Sequence, residues 1–208
     1  VHTDIRAIAF DAFGTLVDIQ NHQRPLLPLM SWLRANSAEH RSDEYEWLMT
    51  REFNLAALAA GIPEESASEI TDRLAKETAS IEPYPDARPA LGTLKSRGYR
   101  LAICSNVITP YVKPTIDALN ATFDAAVWSC AVGAAKPDPA IYAALIETLS
   151  LPAHQILFVG DHIEHDVTAP KRAGMPALYL RRGYTSPAPN HEITSLDELA
   201  RRLPPLQL

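Results

Sequence analysis

Five short apolar runs punctuate the chain, with longer amphipathic stretches between them. They are residues 5–10, 99–104, 126–129, 156–159 and 177–180, each four to six residues long and bounded by polar or glycine-containing segments. Runs this short and this apolar suit strands of a parallel sheet covered on both faces. The intervening segments 86–97, 112–119, 139–149 and 165–173 place apolar residues at helical spacing: Ala87, Ala90, Leu91 and Leu94 in the first, Ile141, Ala144, Leu145 and Thr148 in the third. Strand–helix alternation of this kind predicts an α/β fold, a doubly wound, Rossmann-like parallel sheet.

One stretch interrupts the alternation. Residues 19–81, 63 positions, hold three helical patterns and no convincing strand. Ser42 and Asp43 are placed to cap a helix carrying Tyr45, Leu48, Met49, Leu55 and Ala56 that Gly61 would end. Pro63 then opens another carrying Ile70 and Leu74. The pattern predicts a small helical cap domain over 19–81, inserted after the first strand into a core of 1–18 and 82–208. Such an insert emerges at the carboxyl ends of the strands, where ligands of open α/β sheets bind. No internal repeat occurs, and compositional bias is confined to the proline-rich segments 186–190 and 204–205.

Four of the predicted strands end in residues with chemical potential. Asp11 follows the first, ahead of a Gly14-Thr15 turn whose amides can hydrogen-bond an oxyanion, a position suited to a nucleophile or a metal ligand. The second gives Ser105-Asn106, short polar groups able to hold a substrate oxygen. Beyond the third lies Lys136-Pro137, a point positive charge for an anionic group. The fourth ends in Gly160-Asp161 with Asp166 five positions on, paired carboxylates that suit hard Mg²⁺. Taken singly, each also reads as a cap, a turn or a solvated lysine. Their order at successive strand ends is what carries information.

Composition narrows the setting. With 208 residues and 47% hydrophobic positions, the chain can bury a core without disulfide or zinc support. Its two cysteines, Cys104 and Cys130, form no ligand pattern and fit a reducing, cytoplasmic setting. The longest apolar runs are about ten residues, against about 20 needed to cross a bilayer, and the N-terminus shows no basic-then-apolar export signal. A net charge of −6, with no cluster of Lys and Arg beyond pairs such as Arg181-Arg182, argues against nucleic acid as a partner. The expected partner is a small anionic molecule, bound by a monomer or homodimer.

The ordered set resembles the haloacid dehalogenase superfamily of hydrolases over roughly residues 5–183, in its helical-cap form. Asp11-x-Phe13-Gly14-Thr15-Leu16 is similar to that superfamily's first motif, Ser105-Asn106 to its second, Lys136-Pro137 to its third and Gly160-Asp161-x-x-x-x-Asp166 to its fourth. The resemblance implies that Asp11 attacks the substrate to form a covalent aspartyl intermediate, which water then hydrolyses. It implies that Thr15 and Ser105 hydrogen-bond the transferring group, that Asn106 orients it, and that Lys136 offsets negative charge and keeps Asp11 ionised. Mg²⁺ is the implied cofactor, with Asp11, Phe13, Asp161 and Asp166 as the metal positions.

The same comparison exposes a conflict. Phosphatases of the superfamily usually carry a second Asp two residues after the nucleophile, as general acid/base, and Phe13 stands there instead; 2-haloacid dehalogenases carry an aromatic residue, since halide leaves unprotonated. The fourth motif, with Asp161, is phosphatase-like, whereas those dehalogenases need no metal. Clustered carboxylates without a cation would repel an anionic haloacid as strongly as a phosphate. The favoured reading is therefore a Mg²⁺-dependent hydrolase of a small phosphorylated metabolite. The alternatives are a metal-independent 2-haloacid dehalogenase and a non-catalytic binding protein. A dehalogenase would need a cation for the substrate, for which Arg24, Arg41 and Arg51 are available. His162 and His165 read as bystanders in a hard-oxygen setting, and Trp32, Tyr45 and Trp47 as cap packing.

Overall fold

The computed structural model describes residues 4–36, 48–51, 62–184, 189 and 191–207. Its centre is a six-stranded sheet in which every neighbouring pair is parallel: β1 (Ala7–Phe10), β4 (Arg100–Ser105), β5 (Ala125–Trp128), β6 (Ile156–Gly160), β7 (Ala177–Leu180) and β8 (Glu192–Ile193), in the order β5-β4-β1-β6-β7-β8. Alternation along β1 explains why both faces are covered. Ile8 and Phe10 join Leu101, Ile103 and Val159 in one apolar cluster, against helices α3 (Ala87–Ser96), α4 (Thr109–Leu119) and α8 (Leu196–Arg202). Ala7 and Ala9 join Ala102 and Phe158 on the other face, where Ile141, Tyr142 and Leu145 of α6 (Pro139–Leu149) close over them. The small residues on that face let α6 pack near the sheet.

Two short elements differ from the sequence-based expectation. Strands β2 (Val17–Ile19) and β3 (Ile81–Pro83) pair antiparallel, with Val17 opposite Pro83 and Ile19 opposite Ile81. They pin together the two ends of the stretch that reads as strand-free; three residues are too few for alternation to register. Within that stretch lie helices α1 (Leu26–Asn36) and α2 (Glu64–Thr78). Ile70 and Leu74 of α2 are buried as the periodicity requires, and Trp32 packs partly buried against the apolar cluster. The helix expected from Ser42 to Gly61 falls almost wholly outside the described residues, as do Arg41, Tyr45 and Trp47; only Leu48 to Arg51 are seen, Leu48 and Met49 being buried.

The helix expected over 165–173 is also altered. The chain instead takes a wide π-helical turn, Ile163–Thr168, before the short helix α7 (Ala169–Arg172); another short helix, α5 (Ser129–Val132), follows β5. Asp166 is fully buried inside the wide turn and accepts from the His162 amide at 2.9 Å, while the Tyr142 hydroxyl donates to the His165 carbonyl at 2.6 Å. Turning that carboxylate inward sets the widened geometry, a form common at functional sites. No helix among the described residues is long and apolar enough to cross a membrane.

Candidate active site

Because β1 pairs with both β4 and β6, the residues ending these three strands converge on one edge of the sheet. Asp11 continues β1, its amide donating to the Val159 carbonyl at 3.0 Å. Ser105 ends β4 and is buried, and Asp161 follows β6. Lys136 arrives from the loop after α5 and is 4% exposed. Its Nζ donates to Asp11 Oδ1 at 2.8 Å and to Asp166 Oδ1 at 2.7 Å.

Asn106 fixes that lysine. Its Nδ2 donates to the Lys136 carbonyl at 2.9 Å, and its Oδ1 accepts from the Lys136 amide at 2.7 Å. Both ends of the amide are thus engaged by the lysine backbone, although Asn106 also lines the neighbouring cavity. Thr15 is fully buried and its hydroxyl donates to Asp161 Oδ1 at 3.3 Å. Two glycines make the crowding possible. Gly14 has φ +79° and a Cβ there would lie 2.2 Å from Asp161 Oδ2; a Cβ on Gly160 would lie 2.3 Å from Asp166 Oδ2.

Asp11, Asp161 and Asp166 each offer an oxygen within 4.8 Å of the others. One ammonium against three carboxylates leaves the cluster short of positive charge. Burial pushes Asp166 up to about 6, against the pull of Lys136 in the other direction. Burial and the nearby Asp11 also raise Asp161. Burial opposes the charge on Lys136, but Asp11 and Asp166 outweigh it and hold the lysine protonated. Three convergent carboxylates, two cradled against glycines, fit a hard divalent cation such as Mg²⁺. Phe13 brings no side-chain ligand to such an ion and could contribute only its backbone carbonyl.

The Phe13 ring instead packs edge-on against Tyr111, with centroids 6.0 Å apart. Both line a cavity of about 540 Å³ with Ile19, Leu26, Met30 and Ile108, between the sheet edge and the 19–81 segment. Buried Glu77 of α2 ties the two sides together. It accepts from the Gln23 and Arg24 amides at 2.5 and 2.8 Å and from the Tyr111 hydroxyl at 2.6 Å. Arg24, held at φ +50°, lines the same cavity.

Glu77, Tyr111 and Arg182 also shape the site, although no sequence motif marks them. The Arg182 guanidinium donates to the Thr15 carbonyl at 2.5 Å and pairs with Asp86 at 3.0 Å. A usable signal existed for Arg182, which stands just past β7 at the same sheet edge. Cys104 and Cys130 are both buried, and burial pushes the Cys104 thiol up to about 12.

Residues 5–174 match the family model of the haloacid dehalogenase-like hydrolases. A phosphoglycolate phosphatase of Mannheimia succiniciproducens is 37% identical over 103 residues, so the chain spans about half of that relative: 49% of this chain and 46% of that one. (S)-2-haloacid dehalogenase 1 of Pseudomonas sp. (strain CBS-3) is 26% identical over 223 residues, covering 96% of each. Among solved structures, a HAD phosphatase from Thermococcus onnurineus superposes with a TM-score of 0.64 at 25% identity, covering 95% of this chain and 97% of that one.

Proposed function

The chain belongs to the haloacid dehalogenase-like hydrolases, and from that premise we propose that it is a Mg²⁺-dependent hydrolase of a small phosphorylated anion, with residues 19–81 acting as a lid. The observation that carries this reading is the carboxylate cluster of Asp11, Asp161 and Asp166 around a single ammonium. Uncompensated, that excess negative charge repels an anionic substrate, whereas a divalent cation uses it.

With Asp11 Oδ1 engaged by Lys136, Oδ2 is the oxygen left to attack. It displaces the leaving group in line and forms an aspartyl phosphate; water then attacks phosphorus, releasing phosphate and regenerating the carboxylate. Lys136 stays charged throughout and offsets the anion, held in aim by Asn106. Thr15 and Ser105 hydrogen-bond the transferring group, whereas the Gly14 and Thr15 amides, expected from the sequence to face an oxyanion, are spent within the loop on the Val17 and Ala12 carbonyls. A bound Mg²⁺ would be held by Asp11, Asp161 and Asp166 and would supply charge neutralisation at the phosphoryl oxygens. The leaving group departs without an acid at the Phe13 position, which restricts the enzyme to leaving groups of low basicity.

The purified protein is expected to hydrolyse an activated aryl phosphate with Mg²⁺ and to lose that activity in EDTA; turnover unaffected by chelation would overturn the reading. One observation favours a second reading. The apolar wall of Phe13 and Tyr111, with Arg24 on the rim for a carboxylate, would suit displacement of halide from a short 2-haloacid. That reading predicts halide release from L-2-chloropropionate with or without EDTA, and no halide above background removes it.

A further inference from the structure

Arg182 lies beyond residues 5–174 of the family-model match and outside every motif, yet it grips the loop that follows Asp11. One arm of its guanidinium donates to the Thr15 carbonyl at 2.5 Å, and the other pairs with Asp86 at 3.0 Å. Its flat face lies 3.9 Å from the centre of the Tyr84 ring. Tyr84 immediately follows β3, and its amide donates to the next loop carbonyl, that of Leu16, at 3.0 Å. Asp86 also accepts from the Leu196 amide at the start of α8, at 2.8 Å.

Two consecutive carbonyls of the nucleophile loop, Thr15 and Leu16, are therefore held by two residues stacked on each other. One of them stands where the chain leaves the 19–81 segment. The guanidinium accomplishes this at a cost, because its Nε is buried without a hydrogen-bond partner. A buried unpaired donor asks for a compensating role. Lysine could not reproduce the arrangement, since the contacts use the planar fork and its face together.

We propose that Arg182 is a positioning residue. It acts through the Thr15 carbonyl to set where the Thr15 hydroxyl stands beside Asp161, and through Tyr84 it joins that setting to the hinge of the lid. The inference rests on the assignment of Asp11 and Thr15 to the reacting site. Loss of the tether frees the loop by a fraction of an ångström or more, and misplacement on that scale costs rate rather than binding.

The test compares wild type with Arg182→Ala and Arg182→Lys in the full chain. Amide hydrogen exchange of the peptide covering residues 11–20 is expected to quicken in both variants while the strands of the sheet keep their protection. With the aryl phosphate or haloacid that the wild type turns over, kcat of Arg182→Ala is expected to fall about 10- to 100-fold, with KM within about threefold. Added guanidinium ion should recover part of that loss. Unchanged loop exchange, or a kcat within about twofold of wild type, overturns the inference whatever happens to thermal stability; should Arg182→Ala not fold, the same two readouts on Arg182→Lys decide. Absence of wild-type turnover on every substrate overturns the proposed function instead, and loop exchange alone then decides on Arg182.

Discussion

Lys136 concentrates the chemistry of the site in one side chain. It is the sole described ammonium between two buried carboxylates, one the proposed nucleophile and the other at the heart of the fourth motif. Lys136→Met leaves both acids buried without a counter-charge, and kcat on an activated aryl phosphate is expected to fall about 100-fold or more. Asp166 supplies a pH signature. Raised to about 6 by burial, its carboxyl holds a proton more tightly folded than unfolded. Its contribution to folding is therefore greatest in acid and is lost as the pH rises from its ordinary range through about 6. Cation binding needs the ionised form, so Mg²⁺ affinity is expected to weaken below about pH 6, by up to tenfold per unit; calorimetric titration at pH 5 and 7.5 checks it, and equal affinities would remove Asp166 from the site. Asp11, Lys136 and Asp161 were legible in the sequence because each follows a recognisable strand. Glu77 was not, because only the fold brings the Gln23 and Arg24 amides and the Tyr111 hydroxyl to it; for Arg182 the place past β7 was legible but its partner was not, Thr15 lying 167 positions earlier.

At the scale of elements, the long central strands could be read from their apolar runs and the flanking helices from their stripes. The β2–β3 pair escaped, and so did the π-helical turn, whose shape comes from an inward carboxylate rather than from any local propensity. Yet these short elements govern the site. The Gly14 turn is one case: φ +79° disfavours a side chain, and a Cβ would run into the Asp161 carboxylate. Gly14→Ala is expected to lower kcat about 100-fold, read against an unchanged far-ultraviolet spectrum. Helix α2 is another. Glu77→Ala strips three described donors of their acceptor, and the chain should lose about 2–4 kcal/mol of stability in denaturant titration. A loss below about 1 kcal/mol would mean that the junction of α2 with the core is held by its apolar contacts alone.

Over the whole molecule, charge is distributed unevenly in a way that bears on the central choice. The stretch 19–81 carries 6 basic and 10 acidic residues, and the remainder 13 and 15. Of those 15, Asp11, Asp161 and Asp166 sit together at the sheet edge; without them the remainder would carry more basic than acidic residues. An anion approaching the three carboxylates meets repulsion that Lys136 alone does not cancel, and a divalent cation reverses the sign locally. If the cluster is a cation site, binding to the folded chain alone must raise its thermal midpoint as the ion concentration passes the dissociation constant. Millimolar Mg²⁺ is therefore expected to raise the melting temperature of wild type but not that of Asp161→Asn, and Phe13→Asp is expected to quicken aryl phosphate turnover by supplying the missing acid. An equal rise in Asp161→Asn would place the ion elsewhere on this acidic surface. No rise at all, together with halide release in EDTA, would leave the carboxylates as partners of Lys136 and give the cavity beside Phe13 to a haloacid.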